Sequence, residues 1–382
     1  MKVMNKNLIK GITFLAASLV SMTVFANYPS FNPRPRLMSM GGAGLSAPGD
    51  RDSAYVNPAG LADLESTHFD VLPILFEFPY EFGLVSDYQD LQDTLDNDSS
   101  TDQQKGDALE NFLHDYADLS TSTRININPG FSKENFYFGL VADALVSPRL
   151  RAGGVTSNQI VELGGSNVTA AVVVAYSRSF MEKRLRVGAT VKPVYRLSVL
   201  AENEQTVYDV IKGLDPGTDV GKQLLGDTQL ERKAFGLGVD LGAQYQLPFF
   251  EEMLHPRVGL TYQDIGSMRF FGSDRPKNVE QSLSIGGSVE HQFGIVGLTA
   301  ALDFRNINKA QEMLNMIHFG AEARFWRLLA LRAGLSQLYW TVGAGLDVRF
   351  LQLDIFVAAR EAAKTIHWDS DRTVGAKIAL GF

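Results

Sequence analysis

Hydrophobic and polar residues alternate along most of the chain, beginning near Thr67 and recurring up to the C-terminus. The last segment shows this most clearly, with one face formed by Val374, Ala376, Ile378, Leu380 and Phe382. The opposite face carries only small or polar residues: Thr373, Gly375, Lys377, Ala379 and Gly381. Segments 317–325 and 351–360 repeat the alternation. A period of two residues predicts β-strands with one apolar face.

The alternating segments are long and come in an even number. We predict strands near 67–86, 124–131, 135–147, 167–180, 185–200, 230–247, 256–266, 279–292, 295–305, 315–326, 329–336, 339–350, 351–362 and 372–382. A soluble β-sandwich also alternates, but its polar face carries bulky charges freely. Here that face is mostly Gly, Ala, Ser and Thr. We therefore predict an all-β fold, a transmembrane antiparallel β-barrel of about 14 strands over residues 67–382.

The connections alternate between short and long. Short turns at 132–134, 181–184, 293–294 and 327–328 would face the periplasm. Longer loops at 87–123, 148–166, 201–229, 267–278, 306–314 and 363–371 would face outside. Loop 87–123 is acidic, and both it and segment 207–225 have helical patterns, so they form either a lid or solvated surface. Pro193 is a candidate for a strand kink, because proline removes a ladder hydrogen bond.

Residues 37–62 fit neither a strand nor a long helix. The segment is rich in Gly and Ala and contains Pro48 and Pro58. Asn57-Pro58 has the form of a helix start, with Asn57 as N-cap and Pro58 at the first helical position. We predict that residues 27–66 form a hatch inside the barrel lumen, where irregular backbone is tolerated because protein surrounds it.

The N-terminus predicts export. Residues 1–26 combine three lysines, a short apolar stretch and the sequence Val24-Phe25-Ala26, as in a cleaved secretory signal peptide. No later run reaches the ~18 apolar residues of a membrane helix. The formal net charge of −8 argues against a nucleic-acid partner. The absence of cysteine excludes disulfides and thiolate chemistry.

The hatch sequence is similar to that of a known family. The order Met40-Gly41-Gly42-Ala43-Gly44, then Asp50 and Asp52, then Asn57-Pro58-Ala59 resembles the N-terminal hatch of FadL-type outer-membrane transporters. PorV-like and TraF-like barrels, in the wider superfamily, begin similarly. The terminal Phe382 resembles the signal read by the barrel-assembly machinery.

The resemblance implies a plugged barrel of fourteen strands in the Gram-negative outer membrane, in contact with lipid and lipopolysaccharide. It implies uptake of hydrophobic or amphipathic, fatty-acid-like molecules from outside. The alternative is a docking subunit of a secretion or conjugation machine, without transport; a third is a structural barrel. A channel predicts an apolar pocket that reaches the hatch, and a docking subunit predicts a filled lumen.

The lumen face of the late strands carries mixed charges. They are Asp303, Arg305, Glu322, Arg324, Arg332, Asp347, Arg349, Asp354, Arg360 and Lys377. These residues either pair with one another across neighbouring strands or bind the hatch or an anionic group. Their slight positive excess suggests the hypothesis that they bind the hatch acids Asp50, Asp52 and Asp63.

Signals of enzymatic chemistry are weak. His318 is predicted to pack in the lumen rather than act as a base, and the six histidines lack metal-ligand spacing. Gly217–Lys222 lacks the spacing of a phosphate-binding loop. We therefore predict a protein that is not an enzyme and that uses no cofactor and no metal.

Overall fold

A computed structural model describes residues 34–80, 84–97, 99–115, 122–147, 149–151, 160–162, 166–198, 205–206, 232–250, 253–348, 350–361 and 370–381. The predicted signal peptide, the helical pattern of 207–225, Arg349 and Phe382 lie outside these residues. The described chain begins with a short helix α1 (Pro35–Ser39), a helical turn α2 (Ser53–Val56) and a 3₁₀-helix (Pro58–Asp63). Everything after them is mainly strand.

The described strands, in chain order, have the following bounds. They are β1 His68–Asp70, β2 Ile74–Pro79, β3 Thr123–Ile127, β4 Gly130–Lys133, β5 Phe136–Val146, β6 Arg149–Arg151, β7 Ile160–Glu162, β8 Asn167–Phe180, β9 Leu185–Ser198, β10 Gln205–Thr206, β11 Arg232–Gln246, β12 Arg257–Gln263, β13 Arg269–Phe271, β14 Ser282–Phe293, β15 Val296–Phe304, β16 Ile317–Phe325, β17 Leu329–Ser336, β18 Tyr339–Val348, β19 Leu351–Glu361 and β20 Ser370–Leu380. Two further helices, α3 (Leu84–Asp96) and α4 (Asp102–Asp115), lie between β2 and β3, and a 3₁₀-helix (Met313–Met316) precedes β16.

These strands close into a ring. Each neighbour pairs antiparallel with the next, and the last strand, β20, pairs with β2 through contacts such as Phe76↔Ala376. Three barrel strands are interrupted, so that β1 with β2, β3 with β4, and β12 with β13 each form one crossing. Counted this way, the described ring has fourteen crossings, β6, β7 and β10 forming a separate small sheet. The predicted barrel of about fourteen strands is confirmed.

Side-chain alternation separates the lumen from the outer surface. On β20, Ile378 and Leu380 are exposed, whereas Thr373 and Lys377 are buried. The outward residues of the neighbouring strands are similarly apolar and exposed, as in a barrel whose outer face contacts lipid. Among the described residues, no helix combines the length and the apolar character needed to cross a membrane.

Two ends of the barrel differ in their connections. At the short-turn end lie the tight turns after β4, β8, β14 and β16, together with the start of β1 and the end of β20. The long-loop end carries the α3–α4 hairpin. Each end has one connection of the other kind. At the short-turn end, the connection 247–256 is long; at the long-loop end, only Gln337 and Leu338 separate β17 from β18.

Two local predictions need correction. The predicted strand 67–86 ends at Pro79, and α3 begins at Leu84. Its continuation as a strand was wrong at 84–86, because the apolar residues Leu84 and Val85 fit a strand and a helix equally well. The predicted loop 267–278 contains the short strand β13. Strands β8 and β9 pair at Ala171↔Val194 and again at Val174↔Val191, but the residues between these two positions, which include Pro193, are not paired. On its other side, Pro193 still pairs with Leu237 of β11.

Candidate functional site

Residues 34–66, which we call the lumenal segment, lie inside the ring and touch opposite sides of its wall. The 3₁₀-helix Pro58–Asp63 packs against β8, β9 and β11. Helix α1 packs against β17, β18, β19 and β20. Because these strands lie on opposite sides of the barrel, the segment crosses the lumen.

The first contact surface is built from wall glycines on β9, β11 and β12. A Cβ atom on Gly242 would lie 2.0 Å from Oδ1 of Asn57, closer than any real contact allows. Asn57 Nδ2 donates to the backbone oxygens of Leu45 at 2.8 Å and of Ala243 at 3.2 Å, while Oδ1 accepts from the Ala59 amide at 3.1 Å. The predicted N-cap therefore also links the segment to the wall. The first glycine surface consists of Gly188, Gly242 and Gly259.

A second glycine surface faces the segment from the other side of the lumen. A Cβ atom on Gly320 would lie 2.3 Å from the Met40 carbonyl oxygen. The Gly41 amide donates to Thr341 Oγ1 at 2.9 Å, and the Gly41 carbonyl oxygen lies 2.7 Å from His318 Nδ1. His318 is thus a packed lumen residue that contacts the segment. The second glycine surface consists of Gly320, Gly334 and Gly343.

A buried carboxylate of the wall holds an arginine of the lumenal segment. Nε and Nη2 of Arg36 donate to the two carboxylate oxygens of Glu322 at 3.2 and 3.0 Å. Arg332 donates to Glu322 and Asp354, both at 2.7 Å. Arg324 lies 3.1 Å from Glu322. Paired guanidinium and carboxylate groups satisfy one another in a site where an isolated charge would be costly.

The segment also has ion pairs of its own. Arg34 donates to Asp52 at 2.7 Å, and its guanidinium carbon lies 3.6 Å from the ring centre of Tyr55. Arg36 donates to Asp50 at 2.9 Å. Burial opposes ionisation of Asp52, but the nearby Arg34 and Lys377 outweigh it and lower the pKa of Asp52 to about 2. Asp52 is therefore charged at neutral pH.

The carboxyl end of the segment is held by wall arginines. Asp63 lies 3.0 Å from Nε of Arg186 and 2.5 Å from Nη1 of Arg257, and it accepts the Gly49 amide at 2.9 Å. Toward the short-turn end, Arg51 donates to Gln352 at 2.9 Å and pairs with Asp70. Asp63 thus fixes the end of the segment against β9 and β12, and Arg51 fixes its middle against the end of β1 and the start of β19.

The structure modifies the hypothesis that lumen cations bind the acids of the segment. Asp50 and Asp52 pair mainly with arginines of the segment itself, and Lys377 approaches Asp52 only to 3.9 Å. Asp63 is bound by wall cations, but by Arg186 and Arg257 rather than by the predicted ones. Wall acids also bind the segment: Asp303 accepts the amides of Gly44 and Leu45 at 2.7 and 3.0 Å, as Glu322 binds Arg36.

The remaining predicted lumen charges occupy different positions. Arg305 donates to the Gly42 carbonyl oxygen at 3.0 Å. Arg360 pairs with Glu77 and Asp371 on neighbouring strands, away from the segment. Asp347 is 59% exposed at the short-turn end and lies 3.7 Å from Arg51.

Three cavities adjoin the lumenal segment. The outer cavity, on the long-loop side, has a volume of about 180 Å³ and is lined by Leu37, Met38, Val279, Arg305 and Lys309, among others. The inner cavity, on the short-turn side, has about 200 Å³ and is lined by Arg36, Arg51, Arg324 and Arg327, among others. The central cavity, of about 30 Å³, lies within the segment. No group of described His, Asp and Glu residues is arranged to hold a metal ion.

Sequence reasoning missed several of the residues that hold the segment. Arg34 and Arg36 precede the glycine-rich stretch, and no spacing marked them as ion-pair partners. The wall glycines were recognised only as part of a lumen face of small residues; Gly343, for example, faces Ser39 of the segment. Alternation alone could place a glycine on the lumen face but could not show which glycines meet the segment.

Neither a protein-family model nor a curated protein matches the chain. Among solved structures, it is similar to the Pseudomonas putida toluene transporter TodX, at 12% identity and a TM-score of 0.47, over 92% of this chain and 98% of that chain. The Ralstonia pickettii toluene transporter TbuX shares 15% identity, with a TM-score of 0.46 and the same coverage. The CymD monoaromatic hydrocarbon channel shares 13% identity, with a TM-score of 0.45 over 91% and 96%. The names of all three describe a channel or a transporter, and their likeness to this chain is one of fold alone.

Proposed function

We propose that the protein is an outer-membrane channel for the uptake of hydrophobic or amphipathic small molecules and that residues 27–66 form the hatch of its lumen. The outer cavity carries this proposal. It opens on the long-loop side of the lumenal segment and is bounded below by Leu37, Met38 and Gly42 of that segment. A docking barrel without transport would instead have a filled lumen.

The walls of the outer cavity favour an amphipathic cargo. Met38, Val279 and Ala358 supply apolar surface, whereas Arg305 and Lys309 supply positive charge. The sequence predicted a continuous apolar pocket, and the mixture found here suits a molecule with an apolar body and a polar or anionic end. A purely apolar cargo would displace water from these charged groups without replacing its hydrogen bonds.

The volume of the outer cavity sets a condition on transport. At about 180 Å³ it is smaller than the roughly 300–1,000 Å³ of pockets for drug-sized ligands. A molecule of fatty-acid size would therefore have to displace part of the lumenal segment. In this proposal, the glycine surfaces and the Glu322 ion pairs keep the hatch closed until cargo arrives.

The proposal includes the partners expected from the sequence. The apolar outer band would contact membrane lipid and, in the outer leaflet, lipopolysaccharide. The barrel-assembly machinery would insert the protein and read the terminal Phe382. The exported chain would lose residues 1–26 as its signal peptide. The proposed role is transport, without a catalytic step or a cofactor.

Uptake of a fluorescent medium-chain carboxylic acid into proteoliposomes tests the proposed function. Ala358→Phe fills the outer cavity from β19 and should abolish uptake. The matched control is Ile355→Phe on the outward face of the same strand, where the side chain is 61% exposed. Equal uptake by both variants and the parent protein, with all three folded, would contradict the cavity as the entry site.

Deletion of residues 37–62 tests the hatch. We expect an assembled barrel, shown by heat-modifiable migration in a gel, with a large increase in permeability to small sugars. Unchanged permeability would show that this segment does not close the lumen.

A further inference from the structure

The three cavities share lining residues, which places them in line through the lumenal segment. Arg34, Leu37 and Val56 line both the outer and the central cavity. Arg36, Asp50 and Asp52 line both the central and the inner cavity. The series therefore runs from the long-loop side to the short-turn side of the barrel.

The middle of this series is lined by charged as well as apolar side chains and is large enough for water. A cavity needs roughly 10–15 Å³ to hold one water molecule, and the central cavity has about 30 Å³. Arg34 is only 4% exposed, and its Nε and Nη2 atoms have no hydrogen-bond acceptor among the described residues. Arg34 lines the outer and central cavities, so water in either cavity can accept from these donors.

Two ion pairs stand where the cavities meet. Arg34 lies between the outer and central cavities, and its partner Asp52, at 2.7 Å, lies between the central and inner cavities. Arg36 and Asp50, at 2.9 Å, both line the boundary between the central and inner cavities. Each pair closes its boundary with flexible side chains, which can move without any shift of backbone.

The boundary between the segment and the wall is closed by backbone contacts instead. At Gly242 and Gly320, no Cβ atom would fit between the wall and the segment. Gln244 also donates to the Leu45 carbonyl oxygen at 2.9 Å, and Ser288 to that of Ser46 at 2.8 Å. Opening this boundary would require the whole segment to move.

We propose that the lumenal segment contains a conduit for water and small inorganic ions, closed at rest by the ion pairs Arg34–Asp52 and Arg36–Asp50. The conduit passes through the segment rather than between the segment and the wall. It is a second permeation route, for hydrophilic solutes, and it does not depend on the cargo proposed above. Local rearrangement of two side-chain pairs opens it while the glycine surfaces stay in contact.

Planar-bilayer conductance in potassium chloride tests the conduit with salt alone. The double variant Asp50→Ala/Asp52→Ala removes the acid of both closing ion pairs and should raise the conductance about tenfold or more, since a closed constriction excludes ions and a wetted one conducts. The open path should prefer chloride, because Arg36 keeps its partner Glu322 and stays in place beside the path. The matched control is Asp143→Ala, which removes another buried lumen acid that pairs with Arg124 on the wall.

Single cysteines give a second test, because the native chain has none. Ala47→Cys places a thiol in the central cavity, and Ala59→Cys places one where the segment packs on the wall near Gly188. In the Asp50→Ala/Asp52→Ala background, a small anionic methanethiosulfonate, whose charge suits the chloride preference of the path, should modify Cys at position 47 and leave position 59 unmodified. In the parent background, both should be protected.

Two outcomes overturn the conduit. One is an equal conductance for Asp50→Ala/Asp52→Ala and Asp143→Ala, with both proteins folded by gel mobility. The other is equal modification of the two cysteines, which would show that the whole segment has moved and that solutes pass along the wall. Loss of carboxylic-acid uptake in proteoliposomes with normal salt conductance would count against the proposed cargo and leave the conduit intact.

Discussion

The lumenal segment meets the barrel wall by steric fit, whereas its interior is held together by charge. At the wall, Gly242 and Gly320 let backbone approach backbone, and any added side chain would collide. Inside the segment, Arg34 and Arg36 pair with Asp52 and Asp50 beside cavities. Steric fit has no partly open state, but ion pairs can exchange partners with water. A lumenal segment built in this way can keep its contacts with the wall while the ion pairs at its centre rearrange.

The Glu322 ion pairs form the largest electrostatic link between the two regions. Glu322→Gln removes the shared partner of Arg36, Arg332 and Arg324, and breaking a buried pair by removing one partner costs about 3–5 kcal/mol. We expect the segment to become sensitive to added protease while the barrel keeps its heat-modifiable migration. Glu290→Gln, at a partly exposed position of β14, is the control. If the segment is equally protected from protease in both variants, its steric fit against the wall is enough to hold it in place.

A side chain on the first glycine surface tests the fit directly. Gly242→Val should cost about 1–3 kcal/mol of docking energy through overpacking against Asn57. Valine suits a strand, so the barrel itself should fold. Differential scanning calorimetry and sugar permeability would measure the effect.

Gly287→Val is the matched substitution for this test. Gly287 lies on β14, and the nearest atom to its added Cβ would be 3.9 Å away. A similar loss in both variants would mean that glycine matters for the strand rather than for the contact with the segment.

Asn57 should contribute less, and its two roles can be separated. Asn57→Ala loses the cap of the 3₁₀-helix and both donated hydrogen bonds, at a cost of about 1 kcal/mol or somewhat more. Asn57→Asp keeps the acceptor for the Ala59 amide but removes the donors to Leu45 and Ala243. If chemical denaturation shows that Asn57→Asp is as stable as the parent protein, loss of the cap alone accounts for the destabilisation of Asn57→Ala.

The smallest effect concerns pH. The pKa of Asp52 is lowered to about 2 in the folded protein, against roughly 3.9 in an unfolded chain. Its contribution to stability is therefore complete at neutral pH and is lost only as the pH falls from about 4 toward 2. Conductance should be constant from pH 7 to about 5. A conductance step near neutral pH would show that another group controls the conduit.

The sequence predicted more of the barrel wall than of the contacts inside the lumen. Alternation located the barrel strands because lipid on one side and a packed lumen on the other impose the same period on every crossing. Asn57-Pro58 marked the start of the 3₁₀-helix because capping is a local property. The pattern failed at 84–86, where the apolar residues Leu84 and Val85 allow both a strand and a helix and the tertiary surroundings decide.

Tertiary structure alone decided which charges meet. The sequence listed Glu322, Arg332 and Asp354 on the lumen face, but only strand register shows that Glu322 and Arg332 are opposite one another. Arg36 reaches Glu322 from 286 positions away, a separation that no local pattern encodes. The glycine surfaces are likewise defined by where the segment lies. Periodicity in the sequence thus determined the strands of the barrel wall. The contacts that hold the lumenal segment were decided by closure of the ring, because they join residues that only the closed barrel brings together.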